Sequence, residues 1–127
     1  MPHVIVEYSS NVADRTDVQS LLQQIHKRVL ATGVAALGGL RTRAFAATEF
    51  VVADGAPDHG YLAAYARLAA GRSDAERAAV LAAISEAISE HLGDAAEGLA
   101  ISVEYQEIDL RSRVNDNRIR LAGSGSP

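Results

Sequence analysis

Residues 60–92 read GYLAAYARLAAGRSDAERAAVLAAISEAISEHL and contain a complete transition from a predicted strand to a predicted helix. Gly60 to Ala69 has the pattern of a strand, and Gly71-Arg72-Ser73-Asp74 interrupts it. Ser73 followed by Glu76 forms a capping box, which predicts the start of a helix. Gly93 is expected to end that helix. Its apolar stripe recurs at helical spacing and consists of Val80, Leu81, Ile84, Ile88 and Leu92.

The same order of elements occurs in the first half of the chain. Pro2 to Tyr8 alternates with a period of two, which predicts a strand. A helical stripe then extends from Asp14 to Thr32, and Gly33 lies where a helix C-cap belongs. A second extended stretch, Leu40 to Ala53, completes this half, and Leu99 to Tyr105 is the corresponding last strand of the second half. The chain is therefore predicted to contain two tandem β-α-β units.

This layout predicts an α+β fold with a four-stranded sheet. Parallel strands joined by right-handed crossovers place both helices on one face. Residues 1–122 are expected to form a single domain, with halves at about 1–58 and 59–110 followed by a C-terminal arm, and residues 123–127 a flexible tail. The other face is too mixed in polarity for a monomer core and suits subunit contacts. It carries His3, Ile5, Glu7, Tyr61, Tyr65, Arg67, Ser102 and Glu104.

The composition excludes several classes of protein. The 127 residues include 48% hydrophobic and 22% charged side chains, which is ordinary for a globular domain. The absence of cysteine excludes disulfides, thiolate zinc sites and cysteine nucleophiles. A net charge of −4 argues against nucleic-acid binding. No apolar run approaches the roughly 20 residues that span a bilayer, and no signal peptide is recognisable, so we expect a cytoplasmic protein without a membrane partner.

The chain contains 24 alanines but only six aromatic residues, so each buried side chain removes little area from water. We therefore expect part of the stability to come from self-association. The usual catalytic signatures are absent, and the four histidines have no ligand spacing, so no metal site is expected. The arginine-rich segment Asp109 to Arg120 is expected to be a solvated tail or an edge strand, with contact to an anionic partner as the alternative.

Pro2 is a candidate catalytic group because removal of Met1 would expose a secondary amine that can take and return protons. Removal is expected in the cell because the second residue is small. The alternative interpretation is that Pro2 merely begins an edge strand, where proline is tolerated.

Five blocks of sequence resemble the 5-carboxymethyl-2-hydroxymuconate Δ-isomerase family of the tautomerase superfamily. They are Pro2–Glu7 (PHVIVE), Ala31–Gly33 (ATG), Arg41–Arg43 (RTR), Ala53–Gly55 (ADG) and Ala70–Ser73 (AGRS). The blocks stay in register from Pro2 to about Arg77, and the resemblance continues more weakly through Tyr105. The chain departs from the family pattern at Ala44 to Phe50, which is alanine-rich, and in the C-terminal arm.

The resemblance implies a tautomerase-like duplicated fold, a homotrimer, no cofactor, and Pro2 as the catalytic base. It also implies that Arg41 and Arg72 bind a small carboxylate substrate, an unsaturated dienol acid from the breakdown of aromatic compounds. Arg43 would lie on the same strand face as Arg41 if that stretch is extended, and it is a weaker candidate.

Elementary chemistry agrees with these roles. An α-amino group titrates near 8, and both burial and nearby arginines would lower that pKa toward a value that suits a general base at pH 7. Arginine stays charged and can hold carboxylates through paired hydrogen bonds.

Two alternatives remain open at this point. The superfamily also includes dehalogenases, hydratases and decarboxylases, which would need a water-activating acid near Pro2, with Glu7 and Glu104 as the candidates. The same order of elements also describes ferredoxin-like ligand-binding modules, which have no catalytic function.

Overall fold

The computed structural model describes residues 1–122, and the predicted flexible tail at 123–127 lies outside the described residues. The predicted α+β fold is confirmed: four strands form one sheet and two helices accompany it. In chain order the elements are β1 (His3–Ser9), α1 (Val18–Ala31), β2 (Arg41–Ala47), β3 (Gly60–Ala69), α2 (Asp74–Leu92) and β4 (Leu99–Ile108).

The sheet order is β2-β1-β3-β4. Within each half the two strands are parallel, β1 with β2 and β3 with β4, as the two β-α-β units require. The halves join through the antiparallel pair β1 and β3, in which His3 lies opposite Arg67 and Ile5 opposite Tyr65. The amino-terminal strand is therefore an inner strand, with neighbours on both sides.

The core lies between one face of the sheet and both helices. Alternate residues of β1 and β3 are buried together with the apolar stripes of α1 and α2, so the helices share a face as predicted. The fully buried side chains of this cluster include Val4, Val6, Leu62, Leu68, Leu21, Ile25, Val29, Val80, Ile84 and Ile88.

Helix starts follow local capping chemistry. The Ser73 Oγ accepts from the Glu76 backbone N–H at 3.1 Å, and the Glu76 carboxylate accepts from the Ser73 N–H at 2.9 Å, so the predicted capping box is confirmed. The first helix begins at Val18, later than the predicted Asp14, because Asp17 caps it by accepting from the backbone N–H of Gln19.

The second strand is shorter than predicted. It ends at Ala47, whereas the sequence pattern extends to Ala53. Ala47 lies opposite Ser9, the last residue of β1, and the chain after Ser9 turns into a short 3-10 helix. Without a partner strand beyond Ser9, residues 48–59 have no ladder to join and form a loop.

The face of the sheet away from the helices has the mixed character that the sequence predicts. The Tyr61 hydroxyl donates to the Glu7 carboxylate at 2.7 Å, and burial, followed by this hydrogen bond, raises the pKa of Tyr61 to about 12. Ile5 and Tyr65 are half-buried between them and the arginines at the other end of the strands. Within residues 1–122, neither helix combines the length and the apolar character needed to cross a bilayer.

A small polar cluster joins the end of β1 to the start of β3. Ser9 is fully buried; its Oγ accepts from the Tyr61 N–H at 2.8 Å and donates to the Asn11 side-chain oxygen at 2.7 Å. The Asn11 amide donates to the His59 carbonyl at 2.9 Å. Gly60 leaves room for this cluster, since a Cβ there would lie 2.6 Å from Ser9 Oγ and 2.7 Å from Asn11 Oδ1.

We expect Gly60→Ala to destabilise the fold by about 1–3 kcal/mol, because the added methyl group must displace Ser9, Asn11 or both. Gly38→Ala is the matched control, since a Cβ there would make only ordinary contact, at 3.7 Å, with Leu121. Urea unfolding of both variants at one fixed protein concentration measures the difference. Equal stabilities of the two variants would contradict this account of Gly60.

Candidate active site

The amino-terminal residues occupy the end of an inner strand. Pro2 is buried, and its carbonyl accepts from the Arg41 N–H at 3.2 Å. Its ring packs against Gly39, where a Cβ would lie 3.3 Å from Pro2 Cδ. The interpretation of Pro2 as the start of an edge strand is wrong, because β1 lies between β2 and β3. Met1 precedes Pro2 in the structure, so the Pro2 nitrogen is an amide there and the free amino group is that of Met1.

Three guanidinium groups surround this amino group. Burial lowers the pKa of the Met1 α-ammonium below the usual 8.0, and the positive charges of Arg113, Arg41 and Arg72 lower it further. The chain thus places an amine where the ammonium form is disfavoured by both desolvation and like charge. Two of the three arginines, Arg41 and Arg72, are candidates from the sequence, and the fold brings them to the same end of the sheet as Pro2.

Arg41 and Arg43 lie on one face of β2, as their spacing predicts, and His3 lies between them. An Arg41 Nη lies 3.0 Å from His3 Nε2, and an Arg43 Nη lies 3.1 Å from His3 Nδ1. Burial, and then the charges of Arg41, Arg43 and Arg67, lower the pKa of His3 to about 4. His3 is therefore neutral at pH 7, and with one lone pair it can accept from only one of the two arginines at a time.

Arg43 is less directly connected with the amino group than Arg41 is. It contacts Nδ1 of His3, and its charge is not among those that lower the pKa of the amino group. Within residues 1–122, it does not line the cavity described below.

Arg72 approaches from another direction, in the loop before α2. Its guanidinium donates to the Val34 carbonyl at 3.3 Å. The preceding Gly71 has φ +109°, a backbone conformation that side-chain-bearing residues rarely adopt. The Tyr105 hydroxyl is buried without a partner among the described residues; burial raises the pKa of Tyr105, and the Arg72 charge opposes that rise.

A cavity of about 390 Å³ lies between α1 and β2, but it contains no candidate site residue. A second cavity, of about 350 Å³, opens beside the amino group. We call it the amino-terminal cavity, and its lining is Met1, His3, Arg41, Arg67, Ile108 and residues 112–116.

The amino-terminal cavity is suited to anions. Three arginines line it against one carboxylate, Asp116, which is paired with Arg118 at 2.9 Å. Arg41 Nε and Arg113 Nη1 are buried and have no hydrogen-bond partner within the described residues. Buried charged donors without partners are costly, and an anionic ligand would satisfy them.

Sequence reasoning did not identify the contribution of the C-terminal arm. Its expected edge strand is wrong, since no strand follows Ile108 within the described residues. The arm instead folds back over the amino end of the chain, where the Asn117 amide donates to the Gly38 carbonyl at 2.7 Å. The cluster of arginines in the arm was the available signal, but the sequence does not show where the arm lies. Among residues 1–122, no group of three His, Cys, Asp or Glu side chains could hold a metal ion.

A sequence-family model and a relative of known family both match this chain. The sequence model of 5-carboxymethyl-2-hydroxymuconate isomerase matches residues 2–122. A 5-carboxymethyl-2-hydroxymuconate Delta-isomerase of Escherichia coli is 30% identical over 121 residues, which are 94% of this chain and 96% of the relative. The family match at residues 2–122 thus includes Pro2, Arg41, Arg72 and the C-terminal arm.

Solved structures show the same fold. A 5-carboxymethyl-2-hydroxymuconate isomerase from Deinococcus radiodurans R1 is similar with a TM-score of 0.84 and 26% identity, over 92% of this chain and 90% of that chain. A structure described as a fused 4-OT wild-type symmetric trimer is similar with a TM-score of 0.63 and 23% identity, over 87% of this chain and 91% of that chain.

Proposed function

The chain belongs to the 5-carboxymethyl-2-hydroxymuconate isomerase family and is an isomerase, and from this we propose that it moves a proton and a double bond in a dienol carboxylate such as 5-carboxymethyl-2-hydroxymuconate. The observation that carries the proposal is the position of the amino end, buried at the end of β1 among Arg41, Arg72 and Arg113. A base next to fixed cations is what proton transfer within an anionic substrate requires.

The proposed base is the Pro2 nitrogen after Met1 has been removed. An amide nitrogen has no available lone pair, whereas the secondary amine of a terminal proline does. The new amine would lie one residue from the present amino group, in the surroundings that already lower the pKa of the Met1 ammonium. The same surroundings would shift the terminal proline amine toward its neutral form, as a general base requires.

The reaction is a proton relay. The Pro2 nitrogen takes the proton of the substrate's 2-hydroxyl group, and the O–H electron pair forms the 2-oxo group as the conjugated double bonds shift. The electron density at the far end of the system takes the proton back from the Pro2 ammonium, forming a C–H bond there. The enzyme and the proton count are unchanged at the end, and the product is an unsaturated 2-oxo acid.

The arginines hold the substrate and stabilise the charge of the intermediate dienolate. Arg41 and Arg72 approach the amino end from different elements, so each can bind a different carboxylate through paired hydrogen bonds. Whichever of them lies next to the 2-oxygen would stabilise its negative charge. Arg43 acts more weakly, through its contact with Nδ1 of His3, whose other ring nitrogen, Nε2, contacts Arg41. No cofactor takes part in these steps.

We also propose that the working form is a homotrimer. The face of the sheet opposite the helices carries half-buried Ile5 and Tyr65, with charged groups at both ends of the strands, which suits a subunit contact. Solved structures described as 4-OT trimers share the fold. A cytoplasmic location stays a prediction from the sequence.

The geometry does not favour the alternative activities that need a water-activating acid near Pro2. Glu7 accepts from Tyr61, and neither Glu7 nor Glu104 lines the amino-terminal cavity. Asp116 does line it, but Arg118 holds its carboxylate. The activation of water by an acid near Pro2 therefore has no support from the residues that the sequence analysis nominated.

We expect the processed enzyme to consume a 2-hydroxymuconate-type dienol at pH 7 and to lose activity as the pH falls. The base must be neutral, and its surroundings lower the pKa of an amino group there, so kcat/KM should rise with pH through that lowered pKa and then level off. The measurement is loss of dienol absorbance across pH on protein whose intact mass lacks Met1. Processed protein that turns over no dienol at any pH would overturn the proposed function.

A further inference from the structure

The C-terminal arm forms one wall of the amino-terminal cavity. After β4, the chain makes a short turn at Leu110–Ser112, and the hydrogen bond from Asn117 to the Gly38 carbonyl holds the arm against the loop before β2. Residues 112–116 lie between these two points and line the cavity. The arm is therefore placed to contact whatever the cavity binds.

Arg113 is the cation that the arm contributes. With the Asn115 amide assigned so that its oxygen faces the donors, that oxygen accepts from Arg113 Nε at 3.2 Å and Nη2 at 3.3 Å, and from the Met1 ammonium at 3.1 Å. The remaining Arg113 nitrogen, Nη1, is buried and has no partner within residues 1–122. One edge of the guanidinium is thus fixed by the arm itself, and Nη1 is left to bind a ligand.

Arg113 differs in this respect from the other arginines nearby. Arg67 also lines the cavity, but its side chain is exposed, and water satisfies it without a ligand. Arg111 is 90% exposed and pairs with Asp109 at 3.1 Å. Arg41 and Arg113 are the two whose buried nitrogens lack partners around the described cavity. Arg113 is therefore a cationic donor in addition to the two arginines that the proposed reaction uses: Arg41, which lines the cavity, and Arg72, which acts on the amino group without being one of the lining residues.

We propose that Arg113 binds a substrate carboxylate remote from the reacting dienol, and thereby selects unsaturated acids with three carboxylates over those with two. The inference rests on the proposed function, in which Arg41 and Arg72 hold the other two carboxylates. A substrate with two carboxylates leaves the buried Arg113 donor unpaired, and leaving such a group unpaired is a strong source of discrimination.

The test compares Arg113→Gln with the parent enzyme on a tricarboxylate dienol, 5-carboxymethyl-2-hydroxymuconate, and a dicarboxylate dienol, 2-hydroxymuconate. Both rates are compared above the rising limb of the pH profile, where loss of the Arg113 charge no longer changes the fraction of neutral amine. There we expect kcat/KM for the tricarboxylate to fall about tenfold to a hundredfold, and kcat/KM for the dicarboxylate to stay close to the parent value. Arg113→Lys should recover part of the selectivity, because it restores charge without the planar fork. The control is Arg111→Gln, an exposed arginine two residues away, which should leave both substrates unaffected.

A binding measurement separates this inference from the proposed reaction. Titration calorimetry with propane-1,2,3-tricarboxylate and with glutarate needs no turnover, and Arg113→Gln should lose the parent's preference for the tricarboxylate. If the parent turns over neither dienol, the proposed function fails, and this titration still decides the role of Arg113. The inference is overturned if the parent shows no preference, if Arg113→Gln keeps it, or if both dienols lose kcat/KM equally. Thermal unfolding verifies that each variant is folded.

Discussion

Protein that keeps Met1 is expected to have a kcat/KM about 1000-fold to 10,000-fold below that of the same protein starting at Pro2, the upper range for loss of a general base. The reason is covalent. With Met1 attached, the Pro2 nitrogen is an amide and cannot accept a proton, and the primary amine of Met1 occupies a different position. The amino end is buried against Gly39 and held by the hydrogen bond from Arg41, so it cannot readjust freely.

The experiment uses one sample before and after processing. Protein that retains Met1 is treated with methionine aminopeptidase, and intact mass and dienol turnover are followed together. Activity should appear in proportion to the loss of Met1. Full activity in the Met1-bearing protein would remove Pro2 from the mechanism.

Pro2→Ala, with Met1 removed, is expected to have an activity between that of the processed enzyme and that of the Met1-bearing protein. Its terminal amine can still accept a proton, but it lacks the ring that packs against Gly39 and sets the direction of the nitrogen lone pair. It should lose most of the proton-transfer rate, yet remain above the Met1-bearing protein. A ligand-binding module without catalysis would instead bind its ligand equally well with Pro2 or Ala at this position.

The second large effect is expected from the arginines that surround the amino end. Arg41→Gln and Arg72→Gln should each lower kcat/KM for the dienol about 100-fold to 1000-fold, because each removes a fixed cation from a carboxylate or from the developing oxyanion. Both side chains lie close enough to act on the amino group, which places them close to the proposed base.

Arg43→Gln is the informative comparison for Arg41. Both arginines lie on the same face of β2 and both contact His3, but only Arg41 lines the amino-terminal cavity. We therefore expect a distinctly smaller loss from Arg43→Gln, measured with the same dienol and with thermal unfolding as the check on folding. Equal losses from the two substitutions would mean that His3, and not the cavity, mediates the effect of Arg41.

The two arginine substitutions should also move the pH profile. Each substitution removes a positive charge that lowers the pKa of the amino group. The rising limb of kcat/KM should therefore move to higher pH in both variants. A residue that only supported the fold would leave this limb in place.

Much of the candidate site could be predicted from the sequence, because its signals are local. The spacing of Arg41 and Arg43 places them on one strand face, and the break at Gly71 to Asp74 places Arg72 just before a capped helix. The catalytic role predicted for Pro2 depended on a resemblance to a family, because nothing in its position distinguishes a catalytic proline from one that begins a strand. The structure removed one alternative, since β1 is an inner strand.

Other features depended on contacts between distant parts of the chain. The end of β2 at Ala47 is set by its partner, because β1 stops at Ser9. His3 was not predicted as a site residue, because its contact with Arg41 depends on the pairing of two adjacent strands, β1 and β2. Arg113 appeared to belong to a solvated arm, because its residue type and spacing carry no information about where the arm lies.

The sequence by itself thus determined the elements, their order, both ends of the second helix and the family, since periodicity, capping and short motifs involve residues close together in the chain. The tertiary structure alone decided which arginines share a cavity with the amino end. That choice rests on the pairing of β1 with β2 and on the hydrogen bond between Asn117 and Gly38, which joins residues far apart in the chain. Desolvation and like charge then lower the pKa of the amine, and both depend on the packed surroundings rather than on the amine's own neighbours in sequence.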